Sequence, residues 1–118
     1  MTTIKGGGGG IVFCADNASG TWYNLSISQS GQYGLSLNNG FGFTGKTLSR
    51  GFTSAMKAGL NQTNLIAVVV ISGTFDLYVN YQKIDSVSDN TYSHGEIGVL
   101  ADYAPSEVVY SYARVWTF

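Results

Sequence analysis

The chain has 118 residues, of which 11% are charged and 14% are aromatic, and six Lys and Arg are balanced by seven Asp and Glu. This length fits one domain, and the composition is the opposite of that of a disordered chain. The net charge of −1 lacks the basic excess of a nucleic-acid binder, and a single cysteine cannot form an internal disulfide. We therefore expect one ordered domain with no nucleic-acid partner.

The start of the chain carries a run of five glycines at 6–10. This composition predicts a flexible Gly-rich lead-in over 1–9 and places the domain itself at 10–118. The apolar stretch 11–15 is too short for the core of a signal peptide, and the longest apolar run is far below the ~18 residues of a membrane helix. We expect no membrane span, and either a cytoplasmic protein or a domain cut from a longer cell-surface or extracellular protein.

Alternation of apolar and polar residues predicts strands along most of the chain. Residues 23–28 and 33–37 alternate in this way around a turn at Ser30 and Gly31, which predicts a β-hairpin with one buried face. The β-branched run 65–71 is apolar at every position and predicts a central strand covered on both faces. The segment 53–59 carries the one helical hint, which ends at a glycine.

Further alternation predicts strands at 75–79, 97–101 and about 108–118. Together these segments predict an all-β fold of about seven to nine short strands, which is an antiparallel β-sandwich or jelly roll.

Six segments carry short motifs in a fixed order: 10–20 (GIVFCADNASG), 23–33 (YNLSISQSGQY), 64–70 (NLIAVVV), 75–80 (FDLYVN), 95–101 (GEIGVLA) and 108–116 (VVYSYARVW). In this order they resemble the strands of concanavalin A-like and laminin G-like lectin-type β-sandwich domains. The resemblance is closest to bacterial domains attached to larger proteins such as membrane-bound serine/threonine kinases. It implies a jelly roll that binds a glycan or another protein.

The chain departs from that family in three places. Tyr81 stands where the family has a hairpin glycine, and Cys14 stands where it has an arginine. Domains of the family also begin with about two further strands before the first motif, one of which pairs near the last strand. Since an unpaired sheet edge promotes aggregation, we expect the sandwich to be completed by another copy or another chain, as a homo-oligomer or a complex.

Glycoside hydrolysis is the activity that this fold most often suggests, and it needs two carboxylates ~5–9.5 Å apart across the sugar. The carboxylates in the second half of the chain are scattered, and we expect that the protein is not an enzyme. The resemblance implies calcium as the alternative to a cofactor-free domain, because lectin-like relatives bind it through loop carboxylates. The candidate ligands are Asp16, Asp85, Asp89 and Asp102.

The leading contact candidates are aromatic residues, together with the asparagines beside them, chosen from strand faces opposite the apolar rows. Sugars stack on Tyr and Trp rings, and side-chain amides bind their hydroxyls. These candidates are Trp22, Asn24, Tyr78, Asn80 and Tyr81. We predict a non-catalytic interaction module that binds glycan or protein, or self-assembles, through its sheet faces and edges. The alternatives are a ligand-free self-assembling subunit, as a strand-exchanged oligomer or filament, and a remnant of a glycoside hydrolase-like domain.

Overall fold

The computed structural model describes residues 1–16, 18–39, 45–91, 95–101 and 106–110. These residues form strands joined by turns and loops, with no helix among them. The strands are β1 (Thr2–Lys5), β2 (Gly8–Asp16), β3 (Thr21–Ser28), β4 (Gln32–Asn39), β5 (Lys46–Phe52), β6 (Ile66–Ile71), β7 (Thr74–Val79), β8 (Gln82–Ser88), β9 (Glu96–Ala101) and β10 (Glu107–Val109). The prediction of an all-β fold is confirmed.

The strands form two antiparallel layers. The first is a five-stranded sheet in the order β5-β4-β3-β2-β9, and the second contains β6-β7-β8. The pair β1-β10 adjoins this second layer, because Thr2 bridges Thr63 just before β6 and the Asn61 N–H donates to the Thr3 carbonyl over 2.8 Å. The hairpin predicted over 23–37 is β3-β4, with Tyr23 opposite Leu37.

Three aromatic rings fill the centre between the two layers. Phe13 and Tyr23 of the first sheet stack with centroids 5.4 Å apart, and Phe75 of the second meets them edge-on at 5.5 and 4.7 Å. Aliphatic side chains from both layers surround these rings and are also buried: Leu25, Ile27, Leu35, Leu37, Leu77 and Val79. The alternating apolar rows of the sequence therefore face each other, which makes the molecule a β-sandwich.

Within 1–9, where the sequence suggested a flexible lead-in, the structure has strands. β1 occupies Thr2–Lys5, and β2 already begins at Gly8. A Cβ on Gly10 would lie 1.8 Å from the Leu25 carbonyl oxygen of the neighbouring strand. The Tyr110 hydroxyl closes over the same residue, accepting from its N–H at 2.7 Å and donating to its carbonyl at 2.9 Å. Glycine permits close backbone approach here, rather than flexibility.

Two further local predictions are corrected. Within the described residues, β6 pairs as a strand with β7 alone, and Leu65, Val70 and Ile71 are exposed, so this run is not covered on both faces. The segment 53–59 forms turns instead of a helix, and its Met56 packs on Ile27 and Val79 at the end of the core. Both segments are apolar in sequence, but the sequence of a segment alone does not determine which other elements pack against it.

The sequence suggested that the strands before the first motif are missing, but the structure shows one there. β1 precedes that motif and pairs antiparallel with β10, with Thr2 opposite Val109. One described strand therefore precedes the first motif and pairs with the strand at which the last motif begins. The predicted last strand begins within β10, and its remainder, 111–118, lies outside the described residues.

Candidate functional site

The structure places the predicted contact residues on two opposite outer faces. Trp22 and Asn24 alternate with buried Tyr23 and therefore lie on the outer face of the five-stranded sheet. Tyr78 alternates with buried Leu77 and lies on the outer face of the second layer. The sandwich core separates the two groups, so they do not form one site.

Asn80 holds loops together in this structure. Its Oδ1 accepts from the Leu65 N–H at 2.9 Å, and its Nδ2 donates to the Ala55 carbonyl and to Asn64 Oδ1, each at 2.8 Å. These bonds fix the β7–β8 turn against the loop before β6. Tyr81, the other residue of that turn, is 88% exposed with φ at 68°, and it remains free to meet a partner.

Asp85 links the two layers. It was expected in a loop but lies in β8, where its Oδ2 accepts from the Ser49 hydroxyl of β5 and, at 3.3 Å, from the Tyr33 hydroxyl of β4. The Ser49 hydrogen bond, joined by those from the Ser86 N–H and Tyr33, lowers the pKa of Asp85 against the opposing effect of burial.

Asp89 makes a second link between the layers. Its Oδ1 accepts from the hydroxyl of buried Tyr23 and from the Thr91 N–H at 2.9 Å. Burial alone would raise the pKa of Asp89, but the hydrogen bonds from Tyr23 and Thr91 outweigh it and lower the pKa. Both carboxylates thus have structural partners across the sandwich.

The remaining calcium candidates do not join them. Asp16 accepts from the Ala18 N–H at 2.9 Å in a local turn, and Asp102 lies outside the described residues. Nowhere in the described parts of the chain do three His, Cys, Asp or Glu side chains come close enough to hold a metal ion. The four candidates therefore form no shared site in that part of the chain.

A groove that the sequence reasoning missed lies on the outer face of the five-stranded sheet. Its volume is about 680 Å³, within the size range of small-ligand sites. One row across its floor runs from Arg50 of β5 through Gly34 of β4 to Ser26 of β3, since these residues pair directly. Gly34 leaves a trough between its two neighbours, because a Cβ there would contact only the Ser49 carbonyl oxygen, at 3.8 Å.

The rows on either side of this trough carry an aromatic ring and an amide network. Phe52, 67% exposed, pairs with Gln32 on one side of the central row. On the other side, Asn24 pairs with Ser36. The Asn24 side chain accepts from Asn38 and donates to Ser26, both at 3.0 Å, so its amide is held in a fixed orientation. Of the predicted contact residues, Asn24 is the one placed beside this groove.

The groove could have been suspected from one signal in the sequence. Small polar residues alternate with the apolar row through β3 and β4, where long polar side chains are more usual on a solvent-facing surface. The sequence did not predict the contribution of β5 to the groove, because 46–52 has no clear alternation and was not predicted as a strand.

No protein-family model, curated protein or solved structure matches this chain. Among the described residues, no helix has the length and apolar character needed to cross a lipid bilayer.

Proposed function

We propose that this protein is a non-catalytic binding module that holds a saccharide in the groove on the outer face of its five-stranded sheet. The observation that carries the proposal is the groove itself: a trough at Gly34 with an exposed Phe52 ring on one side and a fixed Asn24 amide on the other. Exposed rings stack on the C–H faces of sugars, and amides and hydroxyls bind sugar hydroxyls.

The position of the groove also supports this function. It lies on strands whose other faces form the core, so packing beneath the groove supports the backbone of its floor. The resemblance to lectin-type sandwiches gives the same class of ligand. A hydrolase would need carboxylates that face its substrate. Asp85 and Asp89 instead link the two layers on the inner side of the sheets.

Filling the trough tests the proposal. In Gly34→Val the added methyl groups project into the groove, and we expect saccharide binding to be lost. The free energy of unfolding should stay equal or rise by up to about 1 kcal/mol, because valine favours strands more than glycine. Binding is measured on a glycan array and then by titration calorimetry with the glycans that bind.

Gly98→Val is the matched control. It makes the same change on the outer face of β9, where a new Cβ would lie 4.0 Å from Val12 Cβ, an ordinary contact outside the groove. The control should bind as the wild type does. Absence of any saccharide binding by the wild type, or equal binding by both variants, would contradict the proposal.

A second candidate function is self-association, and one observation favours it. Ile97 and Val99 of β9 are 53% and 51% exposed, and among the described strands β9 lies at the end of its sheet. Exposed apolar side chains on an outermost strand favour pairing with another chain. Light scattering of the wild type should then give twice the monomer mass, and Val99→Lys should restore the monomer. Ser88→Lys, on the polar strand β8, is the control and should remain dimeric.

A further inference from the structure

Resting on the proposed function, we infer that the groove selects an acidic saccharide, and that Arg50 binds the carboxylate of a uronic acid unit. Arg50 lies in the groove, at the end of the row that passes through Gly34 to Ser26. Across the described residues the one ion pair is Lys83 with Asp76, so the Arg50 guanidinium has no acidic partner there.

The surroundings of Arg50 leave its charge available to a ligand. Apart from Arg50 and Ile27, the described residues that line the groove are small, hydroxyl-bearing, amide or aromatic, and none of them carries a carboxylate. Among the described residues, the Asp85 carboxylate contacts β5 at Ser49, the residue before Arg50. Successive side chains of a strand point to opposite faces, so that carboxylate lies on the inner side of the sheet and is already bonded to Ser49, Tyr33 and Ser86.

The geometry of the row fits one sugar ring carrying an acid group. Arg50 and Ser26 are separated by two strand spacings, roughly 9–10 Å, with Gly34 between them. A ring resting on Gly34 could place its carboxylate at Arg50 and its hydroxyls toward Ser26 and the Asn24 amide. A guanidinium presents two parallel N–H donors that match the two oxygens of a carboxylate, which favours a uronate over a neutral sugar.

The test uses oligosaccharides of galacturonic, glucuronic, mannuronic and guluronic acid, each paired with its own methyl ester. The ester keeps the ring and its hydroxyls but removes the charge. We expect the wild type to bind at least one acid more tightly than its ester. Arg50→Met should lower the affinity for that acid about 10- to 100-fold and leave the ester unchanged. Arg50→Lys should recover part of the loss, since it restores the charge without the planar fork.

Lys57→Met is the matched control, since it removes one exposed positive charge from the 53–64 loop. It should bind the acid as the wild type does. Equal losses in Arg50→Met and Lys57→Met would show nonspecific attraction and overturn the inference, as would tighter binding of a sulfated oligosaccharide than of every uronate.

The two proposals can fail separately. If neutral glycans bind, Gly34→Val blocks them and Arg50→Met changes nothing, then the groove binds saccharides but the acidic specificity is wrong. If no saccharide binds the wild type, both are wrong. Thermal unfolding of each variant, followed by circular dichroism, confirms that any loss of binding occurs in a folded protein.

Discussion

The two faces of the β3–β4 hairpin are made by the same strands under different constraints. On the inner face, Tyr23, Leu25 and Leu35 are fully buried against the second layer. On the outer face, small polar residues alternate with them and form the groove. The inner side chains are needed to build the core, whereas most of the outer ones have little effect on stability and are free to serve binding. Substitutions on the two faces should therefore separate stability from function.

The largest expected effect comes from the neighbouring residues Leu35 and Ser36 of β4. Leu35→Ala should lower the free energy of unfolding by about 2–5 kcal/mol, because it removes buried methyl groups and leaves a cavity. Ser36→Ala on the outer face should stay within about 0.5 kcal/mol of the wild type. Urea denaturation followed by fluorescence measures both. Similar losses in the two variants would show that the outer face is also needed for stability.

Tyr23 tests the inner face more finely, because its ring is buried while its hydroxyl reaches Asp89. Tyr23→Phe keeps the stacking with Phe13 and Phe75 and removes the hydroxyl that donates to Asp89 between the layers. We expect a loss of about 1.5–3 kcal/mol, the range for a hydrogen bond to a charged group. Saccharide binding by the folded variant should be unchanged. A change in affinity would mean that the core and the groove are coupled.

Acid should act on the same links between the layers. Asp85 and Asp89 have pKa values lowered in the folded protein, so the unfolded chain takes up their protons first as the pH falls. Their contribution to stability is present above about pH 4 and is lost as the pH falls through the folded-state values. Urea midpoints measured between pH 6 and pH 2.5 should fall along this range.

Ser49→Ala is the variant that sharpens this pH prediction. It removes the hydrogen bond that contributes most to the lowered pKa of Asp85. The variant should be less stable than the wild type at pH 6, and its stability should depend less on pH below 4. An unchanged slope would show that Asp85 does not contribute to the acid sensitivity.

The sequence predicted the inner face far better than the outer one, for a physical reason. Alternation within 23–27 and 75–79 is local, and it identified the buried rows without knowledge of their partners. The groove depends on how β5 pairs with β4, including a register shift between Leu35 and Ser36, and such pairing is not encoded in any single segment. The layer-linking roles of Asp85 and Asp89 depend on residues 36 and 66 positions away, which local patterns cannot show.

The smallest effect is expected at Tyr81. Like the residues of the outer face, it is exposed and does not contribute to the core. Both turns of the β6–β7–β8 meander have two residues with positive φ, and the first has Gly73 (φ 78°) where the second has Tyr81. A tyrosine in the left-handed region is strained, so Tyr81→Gly should raise the free energy of unfolding by up to about 1 kcal/mol. Gly73→Ala is the opposite change, and it should destabilise, because its Cβ would lie 1.8 Å from Asn90 Oδ1. A destabilised Tyr81→Gly variant would place Tyr81 with the core residues instead.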